Sequence, residues 1–189
     1  MDHKLNCPWT FYYFDESEKV SYEEAIHRIA KVSTVEEFWH YYSHIQKPDK
    51  IKQDISLHFF RNDCRAMWED DDYQNGGCFY LTFEKGVQID FIWERILLGL
   101  IGEQFPEDLV GVVIKSKPNN AIVINAWHRT SSDTQLKIEI CRQFEQILKL
   151  PPWTTIQYKY LFAKLKGQNH TYHLDPNEGW KETTKKPYK

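Results

Sequence analysis

Hydrophobic and polar positions along this chain switch between a period of two and a period near 3.6, and the switches mark out its elements. Trp9 to Phe14 is an unbroken aromatic, β-prone run and predicts a first strand. Asp15 to Ser21 then reads as a polar loop ending at Tyr22. Ser33-Thr34-Val35-Glu36 has the form of a capping box, and Val35, Phe38, Tyr42 and Ile45 follow at helical spacing until Pro48. Trp39 falls one turn after Val35 at the margin of that stripe, which predicts a partly exposed ring. Ile55 to Arg61 and Cys78 to Phe83 read as strands, the second with Phe79, Leu81 and Phe83 on one face, joined by a polar loop. Phe91 to Ile101 is a mostly buried helix that stops at Gly102, where a C-terminal glycine belongs. Val110 to Lys117 and Ala121 to Trp127 form a hairpin around Pro118-Asn119-Asn120. Alternation puts Lys115 and Lys117 on one face of its first strand, and Val123, Asn125 and Trp127 on one face of its second. A third helix opens on Ser132-Asp133-Thr134-Gln135, buries Leu136, Ile140, Phe144 and Ile147, and stops before Pro151-Pro152. Thr155 to Phe162 gives a last strand. Hairpin-like strands with interspersed helices predict an α+β fold, an antiparallel sheet covered on one face. A single domain is expected over residues 1–166, and 167–189, with Gly167, Pro176, Gly179 and Pro187, reads as a polar loop and tail.

Composition narrows the partners more than the fold. At 189 residues, 41% hydrophobic and 27% charged, the chain suits one soluble globular domain with a sizeable core. A net charge of −3 offers no broad basic face for duplex nucleic acid, so any nucleic acid bound is short and gripped locally. The aromatic share of 15% exceeds core needs and leaves rings for stacking. Cys7, Cys64, Cys78 and Cys141 show no Cys-x-x-Cys pairing, which argues against a zinc site and for reduced thiols in the cytoplasm or nucleus. Met1-Asp2-His3-Lys4 leads into no apolar signal region, and neither secretion nor membrane spanning is expected.

The stretch Met67-Trp68-Glu69-Asp70-Asp71-Asp72-Tyr73-Gln74-Asn75-Gly76-Gly77 is too polar for core and rich in turn formers. A bent loop can aim the adjacent indole of Trp68 and carboxylate of Glu69 into one slot. Guanine suits that pair: its N1–H and N2–H donate in parallel to one carboxylate while the indole stacks on the ring. A base methylated at N7 is cationic, and an aromatic face attracts it by roughly 0.5 to 2 kcal/mol beyond stacking. A competing function has Glu69, Asp70, Asp71 and Asp72 hold magnesium in a phosphohydrolase, but no ordered base accompanies the run, and consecutive loop acids are usually solvated. A third is a plain protein-interaction domain. His40 with His44, and His170 with His173, lack a third ligand and read as surface histidines, so neither a metal nor a cofactor is expected.

Several of these motifs, in this order, resemble the messenger-RNA cap-binding translation initiation factor 4E family. The resemblance rests on Ser33 to Trp39 with Tyr42-Ser43-His44-Ile45, on Met67-Trp68-Glu69-Asp70 with Gly76-Gly77, on Leu100-Ile101-Gly102-Glu103-Gln104-Phe105, and on Leu150-Pro151-Pro152. It covers the chain from about His3 to about Lys166. It implies a curved antiparallel sheet with three helices on the convex face and a cap slot on the concave face, and no catalysis. Within the slot it implies stacking by Tyr22 and Trp68, guanine-edge recognition by Glu69, a methyl-group contact from Trp127, and phosphate contacts from Lys117 and from Lys164 or Lys166. On the back it implies that Val35, Trp39 and Leu98 bind a scaffold of the initiation factor 4G type or a 4E-binding protein through a Tyr-x4-Leu-hydrophobic motif. A monomer is expected. Tyr22 stands where Trp is commoner, and with Asp70-Asp71 and Gly102 to Phe105 this is similar to the 4E-homologous protein branch, whose members often repress translation. Trp9 matches ordinary initiation factors, while Tyr12 stands where many members have Trp. Cys78 and Val123 occupy positions that are often basic, which implies weaker phosphate binding.

Overall fold

A computed structural model describes residues 2–67, 73–84, 87–118, 121–161 and 169–184. Nine strands form one curved antiparallel sheet in the order β2-β1-β3-β5-β6-β4-β7-β8-β9. They are β1 (Lys4–Asp15), β2 (Ile26–Thr34), β3 (Ile55–Arg61), β4 (Gly77–Phe83), β5 (Leu109–Ser116), β6 (Ile122–His128), β7 (Thr155–Tyr160), β8 (Asn169–Asp175) and β9 (Gly179–Thr184). Three helices, α1 (Val35–Tyr42), α2 (Ile89–Ile101) and α3 (Thr134–Leu148), cover one face. Strand periodicity decides what meets them. Trp9 and Phe11 on β1, Phe59 on β3, Phe79 and Leu81 on β4, and Ile124 and Ala126 on β6 face the helices and are buried. Alternate residues face the other way and form a smaller cluster of Tyr12, Phe60, Val113 and Trp127.

The capping box of α1 sits one residue later than the sequence pattern suggests. Thr34 Oγ1 accepts from Glu37 N at 3.1 Å, and the Glu37 carboxylate accepts from Ser33 N at 2.7 Å. Glu36 is thereby released to bind the backbone N–H and ring of His3 at 2.9 and 2.6 Å. α3 likewise starts from Asp133, whose carboxylate accepts from Leu136 N, rather than from Ser132. At the end of α2 the left-handed residue is Glu103, with φ 54°, and not Gly102. Glu103 N bonds Leu100 O and Gln104 N bonds Gly99 O, the paired closure that a left-handed residue permits. A side chain there costs roughly 1 to 2 kcal/mol of backbone strain, and the Glu103 carboxylate lies 3.4 Å from buried Arg61.

Three further readings of the sequence are corrected. Ile26 to Thr34 is an edge strand on β1, visible in the alternation of Ala30 and Val32 with polar neighbours but not anticipated. Residues 169–184, read as a polar loop and tail, form the β8–β9 hairpin, closed around Asp175 and Gly179. Its inward positions are large: Tyr172 and Trp180 are buried, and Trp180 Nε1 donates to Glu145 on α3 at 2.8 Å. His170 is buried too, 2.6 Å from Glu182, and is not a surface histidine.

Polar groups behind β6 knit sheet to loop. His128 is fully buried, and burial pushes its pKa below the usual range despite the adjacent Asp108 carboxylate, so the ring is neutral. Nδ1–H donates to Asp108 at 3.1 Å, and Nε2 accepts from the Tyr158 hydroxyl at 2.8 Å. Asp108 also accepts from Thr130 N and its hydroxyl and from Arg129 N. Burial alone would raise its pKa, but these bonds outweigh that and hold it at about 2, below the ordinary 3.8. A depressed acid stabilises the fold above its unfolded pKa and loses that contribution as pH falls through the folded value. In urea titrations Asp108→Asn is therefore expected to be less stable than the parent at neutral pH, with the gap closing between about pH 4 and 2. A gap independent of pH over that range would refute the assignment.

Candidate ligand cavity on the open face

The face away from the helices carries a cavity of about 470 Å³, within the usual size of a small-molecule site. Two rows set by strand register lie beneath it, and of their members His58, Val113, Asn125, Tyr80, Trp127 and Lys159 line the cavity. Tyr12, His58, Val113, Asn125 and Tyr80 form one row across β1, β3, β5, β6 and β4. A second row runs Phe60, Gly111, Trp127, Cys78 and Lys159 from β3 to β7. Gly111 is required where it stands, since a Cβ there would enter the Phe60 ring that packs beside Trp127.

Of the residues that the resemblance places in the slot, Tyr22 and Trp127 line this cavity. Tyr22 is 43% exposed in the loop between β1 and β2, its ring leaning on Phe14 at 4.7 Å and its hydroxyl donating to Ala66 O at 2.9 Å. That bond ties the loop to the segment entering Met67. Trp127 stands in the wall, edge-on to Tyr73 at 5.2 Å, with only 9% of its surface exposed. Trp68, Glu69 and the acids through Asp72, together with Lys164 and Lys166, lie outside the described residues. The chain is described again from Tyr73, which packs on Trp127. Lys117 is exposed at the mouth of the β5–β6 hairpin, where its N–H bonds Ala121 O, and it does not line the cavity. Lys115, two residues earlier on the same face, does.

Three buried polar atoms around the cavity lack a hydrogen-bond partner among the described residues: Trp127 Nε1, Asn125 Oδ1 and His58 Nδ1. Unmet buried groups are uncommon, and each costs roughly 1 to 3 kcal/mol. His58 Nε2 is paired with Ser56 Oγ at 2.9 Å. Burial foremost, and then the Lys115 charge, lowers its pKa to about 3, so the ring is neutral. The periodicity of β6 had set Asn125 beside Trp127, but His58 and Lys159 carried no signal beyond strand alternation.

Residues 4–174 match the family model described as Eukaryotic initiation factor 4E. The chain belongs to the initiation factor 4E family. Among its relatives, the eukaryotic translation initiation factor NCBP of Arabidopsis thaliana is 34% identical over 173 residues, covering 89% of this chain and 77% of that protein. The NCBP of Triticum aestivum is 35% identical over 151 residues, 79% of this chain, which spans somewhat under two thirds, 64%, of that relative's own length. Among solved structures, Ascaris suum eIF4E-3 in complex with an m2,2,7G cap superposes with a TM-score of 0.79 at 26% identity, over 85% of this chain and 92% of that one.

On the helix-covered face of this 4E-family chain, Val35 opens α1 half-buried and Trp39 lies one turn on, 41% exposed with its edge against Phe38 and Tyr42. Leu98 is half-buried on α2. His40 on α1 adjoins His44 in the turn that follows, but among the described residues no group of three His, Cys, Asp or Glu side chains could hold a metal.

A histidine whose folded pKa lies below its unfolded 6.5 binds fewer protons folded than unfolded, so stability falls as pH drops below 6.5, until the folded value near 3. His58→Phe is expected to flatten the loss of stability between about pH 6.5 and 4, measured by urea unfolding. An unchanged slope would mean that the ring titrates normally.

Proposed function

We propose that this chain binds the 7-methylguanosine cap of messenger RNA in translation initiation and recruits a partner protein through Val35, Trp39 and Leu98. The observation that carries the reading is the open-face cavity with Tyr22 at its mouth, Trp127 in its wall and Lys115 beside unmet hydrogen-bonding atoms. Tyr22 and Trp68 sandwich the base, Glu69 accepts from its N1–H and N2–H edge, and Trp127 meets the N7 methyl group. Lys117, with Lys164 or Lys166, meets the phosphates. Support comes from the solved Ascaris suum relative, which is in complex with m7G and m2,2,7G caps at 25% and 26% identity. The relatives' names are those of initiation factors, which favours initiation over repression. The cytoplasm is the compartment this role requires. The protein carries out no catalytic step in this reading.

Retention of a partner follows from geometry on the other face. A 41% exposed Trp on α1, with half-buried Val35 one turn before it and a half-buried Leu98 on α2, suits an amphipathic helix laid on the helix-covered face. The second face is separate from the cavity, so the two activities are separable by substitution.

Calorimetric titration tests the cap reading: 7-methylguanosine triphosphate is expected to bind more tightly than guanosine triphosphate, because only the methylated base is cationic. Tyr22→Ala should weaken that binding by roughly 1 to 3 kcal/mol, the range for one base stack. Equal affinity for the two nucleotides would sink the proposal. For the helix-covered face, Trp39→Ala should abolish binding of a Tyr-x4-Leu-hydrophobic peptide while leaving nucleotide affinity unchanged, and loss of both together would place Trp39 in the fold rather than at an interface.

A further inference from the structure

Two lysines reach into the open-face cavity from opposite sides, Lys115 from β5 and Lys159 from β7. Lys159 stands directly across from Cys78 in the β4–β7 register, and Cys78 across from Trp127. The Lys159 stem is not loose, because Nζ lies 4.8 Å above the centre of the Tyr80 ring, on the strand between. Lys115 is half-buried, and its pKa is lowered first by burial, then by the neighbouring charges of Lys117 and Lys159. Neither Lys115 nor Lys159 forms an ion pair with a described carboxylate, although Glu16 and Asp54 line the same cavity and Glu16 lies near enough to favour the Lys115 charge. Two like charges in one cavity, neither in an ion pair with a described carboxylate, are lowered in energy when an anion lies between them.

We propose that Lys159 is the second phosphate-binding cation of this site, so that the ligand's phosphate chain runs from Lys115 across β6 and β4 to Lys159. The assignment rests on the cap reading above and adds to it a direction for the phosphates, toward β7. Tyr80 holds the ammonium in place before the ligand arrives, which lowers the ordering cost of the contact. Lys117, at the exposed hairpin end beyond Lys115 and outside the cavity lining, then lies on the side away from the outermost phosphate. A ligand with one phosphate reaches Lys115 but not Lys159, and a triphosphate reaches both.

The experiment titrates the parent, Lys159→Met and Lys159→Arg with 7-methylguanosine and with its mono- and triphosphates, at two salt concentrations. Lys159→Met keeps the apolar stem on Tyr80 and removes the charge, so a folding defect does not confound it. It is expected to weaken triphosphate binding about three- to tenfold, with little change for the nucleoside, and to shrink the dependence of affinity on salt. Lys159→Arg should restore the triphosphate affinity. Equal losses for nucleoside and triphosphate would show that Lys159 acts through packing on Tyr80, and an unchanged triphosphate affinity would place the phosphates elsewhere; either overturns the assignment. If the parent binds the nucleoside and the triphosphate gains nothing from Lys159, the cap reading stands without it. If the parent binds none of the three, both fall.

Discussion

Each central strand here serves two environments, and the fold depends on how unequally it serves them. On one face Trp9 stacks on Phe59 at 5.1 Å and 10°, Phe11 meets Phe38 of α1, and Phe79 packs edge-on to Tyr158. Large rings burying their whole surface against three helices give most of the favourable free energy, at about 25 cal/mol for each Å² of apolar area removed from water. The opposite face carries no helix among the described residues, only a smaller cluster that includes loop residues Ala66 and Tyr73. A sheet held from one side can tolerate, on the other, a neutral buried histidine, a half-buried lysine and unmet polar atoms. Those features each weaken the fold, and their concentration around one cavity marks the place where stability yields to ligand binding.

The same asymmetry governs what the sequence could reveal. Ile55–Arg61 is found with its predicted boundaries, and the β5–β6 hairpin and the second and third helices lie within a residue or two of theirs, while the first helix ends at Tyr42, short of the predicted run through Ile45 to Pro48; an apolar stripe facing a core is the strongest periodic signal a chain emits. The β8–β9 hairpin was illegible for a physical reason. Its buried positions, Tyr172, Leu174 and Trp180, are separated by Thr171, His173 and Lys181, and its turn holds Pro176 and Gly179, so local composition reads as loop while tertiary contact with α3 makes it sheet. The capping boxes slipped by one residue because Ser33 and Thr34 are both good caps, as are Ser132 and Asp133, and only the packing of the preceding chain decides between them.

Within the site, aromatic residues were easier to read than charged ones. Tyr22 and Trp127 were singled out by the family resemblance, and both line the cavity. Lysines are common on any surface, and choosing among Lys115, Lys117 and Lys159 needs the register of four strands, which no local pattern encodes. The resemblance pointed to Lys117, which alternation puts on one face with Lys115; β5 ends at Ser116, so Lys115 lines the cavity and Lys117 lies beyond the strand end.

Net charge misleads at this scale for a related reason. A net charge of −3 counts every charge of the 189 residues alike, whereas exposed charges farther from the cavity than the screening length of about 8 Å at physiological salt contribute little inside it. A cation lining a partly desolvated cavity is different. Water screens it less, so its attraction for a phosphate is several-fold larger than that of the same group on an open surface. Burial also makes its charge costly when no anion is present, as the lowered pKa of Lys115 records. Lys115 therefore contributes more per charge than exposed Lys117, and Lys159 falls between them, exposed to water on one side and held over Tyr80 on the other. An acidic protein can thus hold a polyanion tightly with few lysines, provided the sheet places them where its own negative charges are screened and the ligand's are not.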